Sequence, residues 1–566
     1  MVRAVELAVL SMNPSVRFVI VGGVAAGASA AARARRLSEA ASITLLERGP
    51  DVSFANCGLP YFIGGEITQR EALAVQTPQT LKTMLALDVR TGTEAVAIDR
   101  GAKRVQVRNL ASGTTESLPY DKLLLAPGAV PLRPSLPGID DPRVFTLRSL
   151  GDMDRIKAAA EKAPRVAVIG AGFIGLEMAE QFVRLGKHVT LVELTAQVLP
   201  PLDPLMTKLL EGELRRHHVD LVLGDSVAAF EGGATLACRL ASGLKVEADL
   251  VVLSIGVRPD TALARDAGLA LGQRGHIRVN HFMQTSDPDI YAAGDAIETE
   301  DFVSGEPAAV PLGGPANRQG RLVADHIFRP GTTKPFPGAL GTAIVRVFEV
   351  AAGLTGWTEK RLRTAGRAYR TVTVNDNHHA GYFPGAKPIL LKLLWDPATG
   401  RVLGAEVSGF AGVDKRLDVL ATAIAGGLTI DDLSQLELAY APPFGAAKDI
   451  VNLAGFAACN ARDGLVTPID ALPDDPAAQV LDVRPPPLVQ AHPLPRGGVR
   501  NIPLAQLRNR LGELDRSRPV VTVCALGKTA YFAARILAQN GFNVLTLTGG
   551  IRAHFDPRSP AKLPTP

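Results

Sequence analysis

The chain has 566 residues, 46% hydrophobic and 21% charged, with a formal net charge of +5. A length of this order holds about three or four domains with large buried cores, and the composition is that of a globular α/β protein. Four cysteines in so long a chain do not make a disulfide framework. No apolar run of about 18 residues is present to span a membrane, and no basic run interleaved with aromatics suits nucleic acid. Residues 1–15 are short, interrupted by Glu6, and lack a small-residue cleavage site. They read as an N-terminal extension rather than a signal peptide, and a cytoplasmic enzyme is expected.

The first predicted element is a buried strand, Arg17 to Val21, followed by Gly22-Gly23-Val24-Ala25-Ala26-Gly27 and an Ala/Arg helix to Leu37. A second strand ends at Glu47. Glycines let the backbone approach a pyrophosphate on the helix N-terminus, and a carboxylate at the second strand end can accept from ribose hydroxyls. Gly22, Ala26, Gly27 and Glu47 are therefore dinucleotide-binding candidates, although Val24 stands where a strict fingerprint has glycine. Next comes Ser53-Phe54-Ala55-Asn56-Cys57-Gly58-Leu59-Pro60-Tyr61, a turn carrying one cysteine. Apolar strands at Leu123–Leu125 and Val251–Leu253 run into turns, Ala126-Pro127-Gly128 and Gly256, which can also bring backbone near a nucleotide.

Arg165 to Ile169 leads into a full G-x-G-x-x-G, Gly170-Ala171-Gly172-Phe173-Ile174-Gly175, a helix over 176–185, and a strand ending at Glu193. Two such units in one chain point to two dinucleotides. Glu193 should accept from an adenosine ribose diol and repel a 2′-phosphate, favouring NADH over NADPH. Apolar residues then lead to Ala293-Gly294-Asp295-Ala296, predicted as a turn opening a helix, with Asp295 placed for a ribityl hydroxyl.

This order of motifs resembles the two-dinucleotide flavoprotein disulfide reductase family, over roughly residues 16 to 465. The resemblance implies FAD on the first unit and NADH on the second, and adds Arg48 and Val96 to the cofactor-binding positions. It implies a fold of class α/β: two Rossmann-like domains, an α+β dimerisation domain and a C-terminal α/β module. The expected division is 16–148 with 256–335 for FAD, 149–255 for NAD, 336–462 for dimerisation, 463–476 as linker and 477–560 for the last module.

Most members of that family carry Cys-x4-Cys, whereas the residue five after Cys57 is Phe62. Without a resolving partner, the thiol must cycle through a mixed disulfide, a persulfide or a sulfenic acid. The motif around Cys57 resembles the coenzyme A disulfide reductase branch. That resemblance implies coenzyme A contacts from Ser29, Arg33, Arg36, Ser53, Asn56, Asn317 and Arg321. It also implies a homodimer in which Tyr382 and Tyr440 reach the partner's thiol site. Cys238 and Cys459 read as inert. His378 and His379 are adjacent, so on a strand they would face opposite ways, and no metal is expected.

The C-terminal segment, with Gln479–Arg484, Val499–Leu504, Pro519–Val523 and Phe542–Leu547, resembles a rhodanese-like domain. Cys524 falls at the nucleophile position, at a strand end before a helix N-terminus, where N–H groups stabilise a thiolate or persulfide. Thr529 stands where an Arg is common, and Lys528 is offered as the substitute charge. The expected function is an FAD- and NADH-dependent reductase of coenzyme A disulfide, coenzyme A persulfide or polysulfide. Its rivals are an NADH oxidase or peroxidase working through a cysteine sulfenic acid, and a redox-sensing sulfur carrier without turnover.

Overall fold

A computed structural model describes residues 15–555, so the expected N-terminal extension lies almost wholly outside the described residues. Within them the chain divides into two compact units. One runs through Ala163 and resumes over Leu250–Ala339; the other comprises Pro164–Asp249 and the chain from Leu340 onward.

The first unit is organised on a five-stranded parallel sheet in the order Ile290–Ala292, Lys122–Leu125, Arg17–Val21, Ser42–Leu46, Asp88–Arg90. Its inner strands are apolar runs because both faces are covered: Phe18, Ile20, Leu45, Leu124 and Ile290 are fully buried, whereas the edge strand Asp88–Arg90 is polar. Helices Ala25–Leu37 and Gly313–Phe328 pack closely on each other, since a Cβ on Gly320 would stand 2.1 Å from the Ala26 carbonyl oxygen. An antiparallel sheet, Thr93–Asp99, Arg104–Asn109 and Thr115–Pro119, is an excursion from this layer.

The second unit contains sheets of different kinds, a small antiparallel one of Val227–Glu231, Leu236–Leu240 and Lys245–Ala248 among them. Arg165–Ile169, His188–Glu193 and Asp220–Leu223 are parallel. An antiparallel sheet runs in the order Ala343–Val347, Val350–Gly356, Val402–Gly409, Pro388–Trp395, Arg370–Asn377. A parallel sheet closes the chain in the order Thr467–Ile469, Val544–Leu547, Val520–Val523, Gln479–Asp482, Arg500–Asn501. Residues 463–476, expected as a linker, thus contribute the edge strand Thr467–Ile469 to this last sheet. Pro468 cannot donate to a ladder and is tolerated there because the strand is outermost.

Inside the antiparallel sheet of the second unit lies a charged cluster. Lys392, on strand Pro388–Trp395, faces Glu406 of the central strand Val402–Gly409 across the ladder. It pairs with Asp203 at 3.1 Å and with Glu359. Asp203 in turn donates its N–H to Glu406 at 3.2 Å. Burial works against the Lys392 ammonium, but Asp203 and the other acids outweigh it and hold its pKa up. Among the described residues no helix is long and apolar enough to cross a membrane.

Candidate active site

The first glycine turn is shaped by close backbone approach. Gly22 has φ +98°, and a Cβ there would stand 2.0 Å from the Ala126 carbonyl oxygen; one on Gly27 would stand 1.8 Å from that of Gly22. Helix Ala25–Leu37 has no side-chain N-cap and no acid in its first turn, so its leading N–H groups suit an anion. Glu47 braces the turn: its two oxygens accept from Gly23 N and Gly49 N, each at 2.8 Å. Gly128 and Gly256 take φ +74° and +117°, which only glycine adopts freely. Arg48 pairs with Asp260 at 3.1 Å, and Val96 is exposed. This cradle fits a dinucleotide such as FAD.

Two features were not legible in sequence. Arg148 donates to the Pro127 carbonyl at 3.0 Å. Burial, and then Arg48, lower its guanidinium, with Asp260 and Glu47 opposing. Burial pushes the Asp295 carboxyl up, and Arg148 pulls it back. Gln319 accepts from Gly294 N at 2.9 Å and fixes the turn that carries Asp295. That turn does not open a helix. It is one 3-10 turn, Gly294–Ala296, running into strand Ile297–Glu300, whose alternating Ile-Glu-Thr-Glu favours extended backbone.

Cys57 lies in the 3-10 turn Asn56–Gly58, directly before the short helix Leu59–Ile63. Its side chain is exposed and outside any disulfide. Asn56 Oδ1 accepts from Cys57 N at 3.1 Å and lies 3.8 Å from Sγ. Ser53 takes φ +47°, a left-handed conformation unusual outside glycine. Its N–H donates to the Gly23 carbonyl at 2.8 Å, tying the thiol segment to the glycine turn. Helix Leu150–Lys162 clamps the segment from behind. Lys157 Nζ sits 4.0 Å above the Phe62 ring and donates to the Phe62 carbonyl at 2.8 Å. Arg70 pairs with Asp154 at 2.9 Å. An aromatic ring held by a cation therefore fills the place of a second thiol.

The coenzyme A candidates of the first unit fall into two groups. Ser29 Oγ donates to Asn317 Oδ1 at 2.5 Å. Arg33 is not a solvated cation: it donates twice to Asp325, at 2.9 and 2.6 Å. Arg321 and Arg329 approach the same carboxylate at 3.7 and 3.9 Å. One acid among three guanidiniums leaves a positive surface, to which exposed Arg36 adds. Asp325 carried no signal in the sequence, since its role arises only from packing between two helices.

In the second unit the turn recurs. Gly170 has φ +99°, the space where a Cβ on Gly172 would lie is open, and helix Phe173–Arg184 begins without an acid in its first turn. Ile174 is exposed and Gly175 buried, as a turn with one open face requires. Glu193 is buried; it accepts from Ala171 N at 2.8 Å, Thr195 N at 2.9 Å and Thr195 Oγ1 at 3.0 Å. Elsewhere in this unit the Tyr382 and Tyr440 hydroxyls are 3.0 Å apart, and the residues are 77% and 48% exposed, so both phenols are open to a visitor.

Cys524 ends strand Val520–Val523 and is 2% exposed. Its Sγ accepts from Gly527 N at 3.1 Å and Ala530 N at 3.2 Å, at the start of helix Lys528–Gln539. Two backbone N–H groups thus converge on one sulfur. Lys528 and Thr529 are exposed beside it.

Residues 16–315 match the family described as Pyridine nucleotide-disulphide oxidoreductase, and residues 342–449 match its dimerisation domain. The chain belongs to the pyridine nucleotide-disulphide oxidoreductase family. It is an oxidoreductase dependent on FAD and NAD(H), in keeping with its two glycine turns. Residues 466–554 match the rhodanese-like domain, so this family member carries a fused sulfur-type module. The coenzyme A disulfide reductase of Staphylococcus haemolyticus is 34% identical over 444 residues, 78% of this chain and 99% of the relative. The solved reduced Bacillus anthracis CoADR-RHD is 45% identical, with TM-score 0.93, over 96% of this chain and 98% of that one. The NAD-dependent persulfide reductase from A. fulgidus is 39% identical, with TM-score 0.90, over 95% and 100%.

Proposed function

We propose that this oxidoreductase reduces coenzyme A persulfide, polysulfide or coenzyme A disulfide with NADH, through Cys57 alone. The observation that carries the reading is the thiol segment itself: an exposed Cys57 with Phe62 in place of a resolving cysteine. The relatives named for coenzyme A disulfide and for persulfide support the substrate class. The arginines around Asp325, together with Ser29, Ser53, Asn56 and Asn317, support coenzyme A as the carrier.

Bound flavin and nicotinamide supply an electron pair. The chain's part begins with the Cys57 thiolate attacking the substrate S–S bond. That bond breaks, a thiolate or hydrosulfide leaves, and Cys57 is held as a mixed disulfide or persulfide until two electrons and a proton restore it. For a persulfide the balance is NADH, a proton and CoA-S-SH giving NAD⁺, CoA-SH and H₂S. Asn56 orients the thiol. The exposed Tyr382–Tyr440 pair, supplied by the second subunit of a cytoplasmic homodimer, donates to the departing thiolate. Gly22, Ala26, Gly27, Glu47, Arg48, Val96, Ala126, Gly128, Gly256 and Asp295 hold FAD. Gly170, Gly172, Phe173, Ile174, Gly175 and Glu193 hold NADH, the carboxylate disfavouring a 2′-phosphate. The domain boundaries read from the sequence are proposed with these assignments, except that the last module starts before Thr467 rather than at 477.

Cys524 is proposed to carry sulfane sulfur to or from the Cys57 site. The test is NADH oxidation with coenzyme A persulfide, polysulfide, coenzyme A disulfide and oxygen, on the parent, Cys57→Ser and Cys524→Ser. Loss with Cys57→Ser on the sulfur substrates is the expected result. Parent-like turnover by that variant would sink the mechanism.

A further inference from the structure

The Cys524 loop is held by a turn that is itself held by a different domain. Cys524 Sγ depends on the N–H groups of Gly527 and Ala530 for its two donors. The Gly549-Gly550 turn lies against this loop. Ile551 N donates to the Cys524 carbonyl at 2.8 Å, and Arg552 N to that of Ala525 at 3.0 Å. Gly550, with φ +70°, leaves no room: a Cβ there would stand 2.5 Å from Ala525 O, Gly527 N and Leu526 C. On its other side the turn meets strand Arg370–Asn377, the edge of the antiparallel sheet. Gly549 N donates to the Thr373 carbonyl at 2.9 Å. A Cβ on Gly549 would stand 3.0 Å from Thr373 Cγ2, and Asn375 Nδ2 reaches the Gly549 carbonyl at 3.5 Å. Farther along the strand, the half-buried Asp376 feels the charge of Lys528 at the head of the Cys524 helix.

We infer that strand Arg370–Asn377 is a positioning element for the Cys524 site, with Thr373 setting the Gly549-Gly550 turn and that turn setting the donors on Cys524. The inference rests on the proposed reading of Cys524 as a sulfur carrier. The step it serves is a transfer without net oxidation. The Cys524 thiolate takes the outer sulfur of coenzyme A persulfide, the donor S–S bond breaks, coenzyme A leaves as its thiolate, and the new S–S bond is on Cys524. Donors held on the attacking and product sulfur speed both directions. A donor displaced rather than deleted costs about tenfold, less than the loss of a whole oxyanion-type donor.

The experiment uses the full chain and reads persulfide loading of Cys524 by mass spectrometry after exposure to coenzyme A persulfide. Gly549→Ala pushes a methyl against Thr373 Cγ2 and Ala553 Cβ from a residue at φ +70°, and should slow loading about tenfold. Adding Thr373→Ser removes Cγ2 while keeping the strand backbone, and should recover part of the lost loading, the contact with Ala553 Cβ and the φ of residue 549 being unchanged. Thr373→Ser alone should load as parent does. NADH-driven flavin reduction should be unchanged in all three, which excludes general unfolding. Parent-like loading by Gly549→Ala overturns the inference, and so does a defect that Thr373→Ser leaves untouched. Should Cys524→Ser leave persulfide turnover at parent level, the sulfur-carrier reading falls; the loading series still decides the positioning role.

Discussion

The carboxylate of Glu193 accepts a hydrogen bond from the backbone N–H of Ala171 at 2.8 Å. It closes the second glycine turn as Glu47 closes the first, where Gly23 N is the donor at 2.8 Å. Each acid shapes the turn before any ribose arrives. A hydrogen bond to a charged group is worth about 1.5–3 kcal/mol. Glu193→Ala should therefore raise KM for NADH by about ten- to a hundredfold, with flavin content intact. Steady-state kinetics with NADH varied checks this, and an unchanged KM would remove Glu193 from the turn's support.

Gly320 allows two helices of the flavin cradle to touch backbone to backbone, since a Cβ would stand 2.1 Å from Ala26 O. Overpacking of this kind costs about 1–3 kcal/mol. Gly320→Ala should purify with less flavin and melt earlier than parent. Absorbance-based flavin occupancy together with Tm gives the answer, and full occupancy at parental Tm contradicts the contact.

The Lys392 cluster predicts an asymmetry between its members. Lys392→Met leaves the buried Asp203 without its cation, while Glu359 keeps Arg363 at 2.7 Å, and should destabilise by about 3–5 kcal/mol. Glu406 behaves differently. Burial first, and Asp203 next, hold its carboxyl well above the usual range, with Lys392 opposing. The folded state keeps that proton to higher pH than the unfolded chain does. Its contribution is fully present below the unfolded value and is lost as pH rises toward the folded one. Glu406→Gln removes this loss, so the variant's Tm relative to parent should climb as pH rises through and above the ordinary carboxylate range. A flat difference across that range would show that Glu406 does not change protonation on folding.

The thiols should separate by reactivity. Cys57 is exposed and should be alkylated first. Burial, then Asp431, raises the Cys459 thiol. Burial alone pushes Cys238 up to about 12, leaving a thiolate fraction on the order of 10⁻⁴ at pH 8. Timed iodoacetamide labelling with peptide mapping should give the order Cys57, Cys459, Cys238. Early labelling of Cys238 in the native protein would contradict its burial.

What the sequence disclosed was what is local. The two glycine turns, the lone Cys57 with Phe62 five residues on, and the strand-end position of Cys524 could all be read, because each is a short pattern with its own chemistry. Arg148, Gln319 and Asp325 could not. Each acts on a partner far along the chain, Gln319 on Gly294 and Asp325 on Arg33, and nothing in a neighbouring residue announces it. The helix expected after Asp295 gave way to Ile297–Glu300 because pairing decided a segment that a Gly-Asp turn left open. Thr467–Ile469 was hidden by brevity and by Pro468, and became a strand only because Val544–Leu547 lay ready to pair. The counter-ion of Arg33 could not be read beside it, because it comes from a helix nearly 300 residues later, the separation being 292.

Strand Lys122–Leu125 sits between Arg17–Val21 and Ile290–Ala292 in the first sheet. One of its two neighbours is therefore made long before the other. At roughly 5–20 residues per second, synthesis of the intervening stretch of about 165 residues takes on the order of ten to thirty seconds. Through that interval Leu123 and Leu124 stand on an open sheet edge, able to pair with another nascent chain. The time of greatest aggregation risk thus falls on the ribosome, before Ile290 emerges, and slowing translation between these two strands lengthens it.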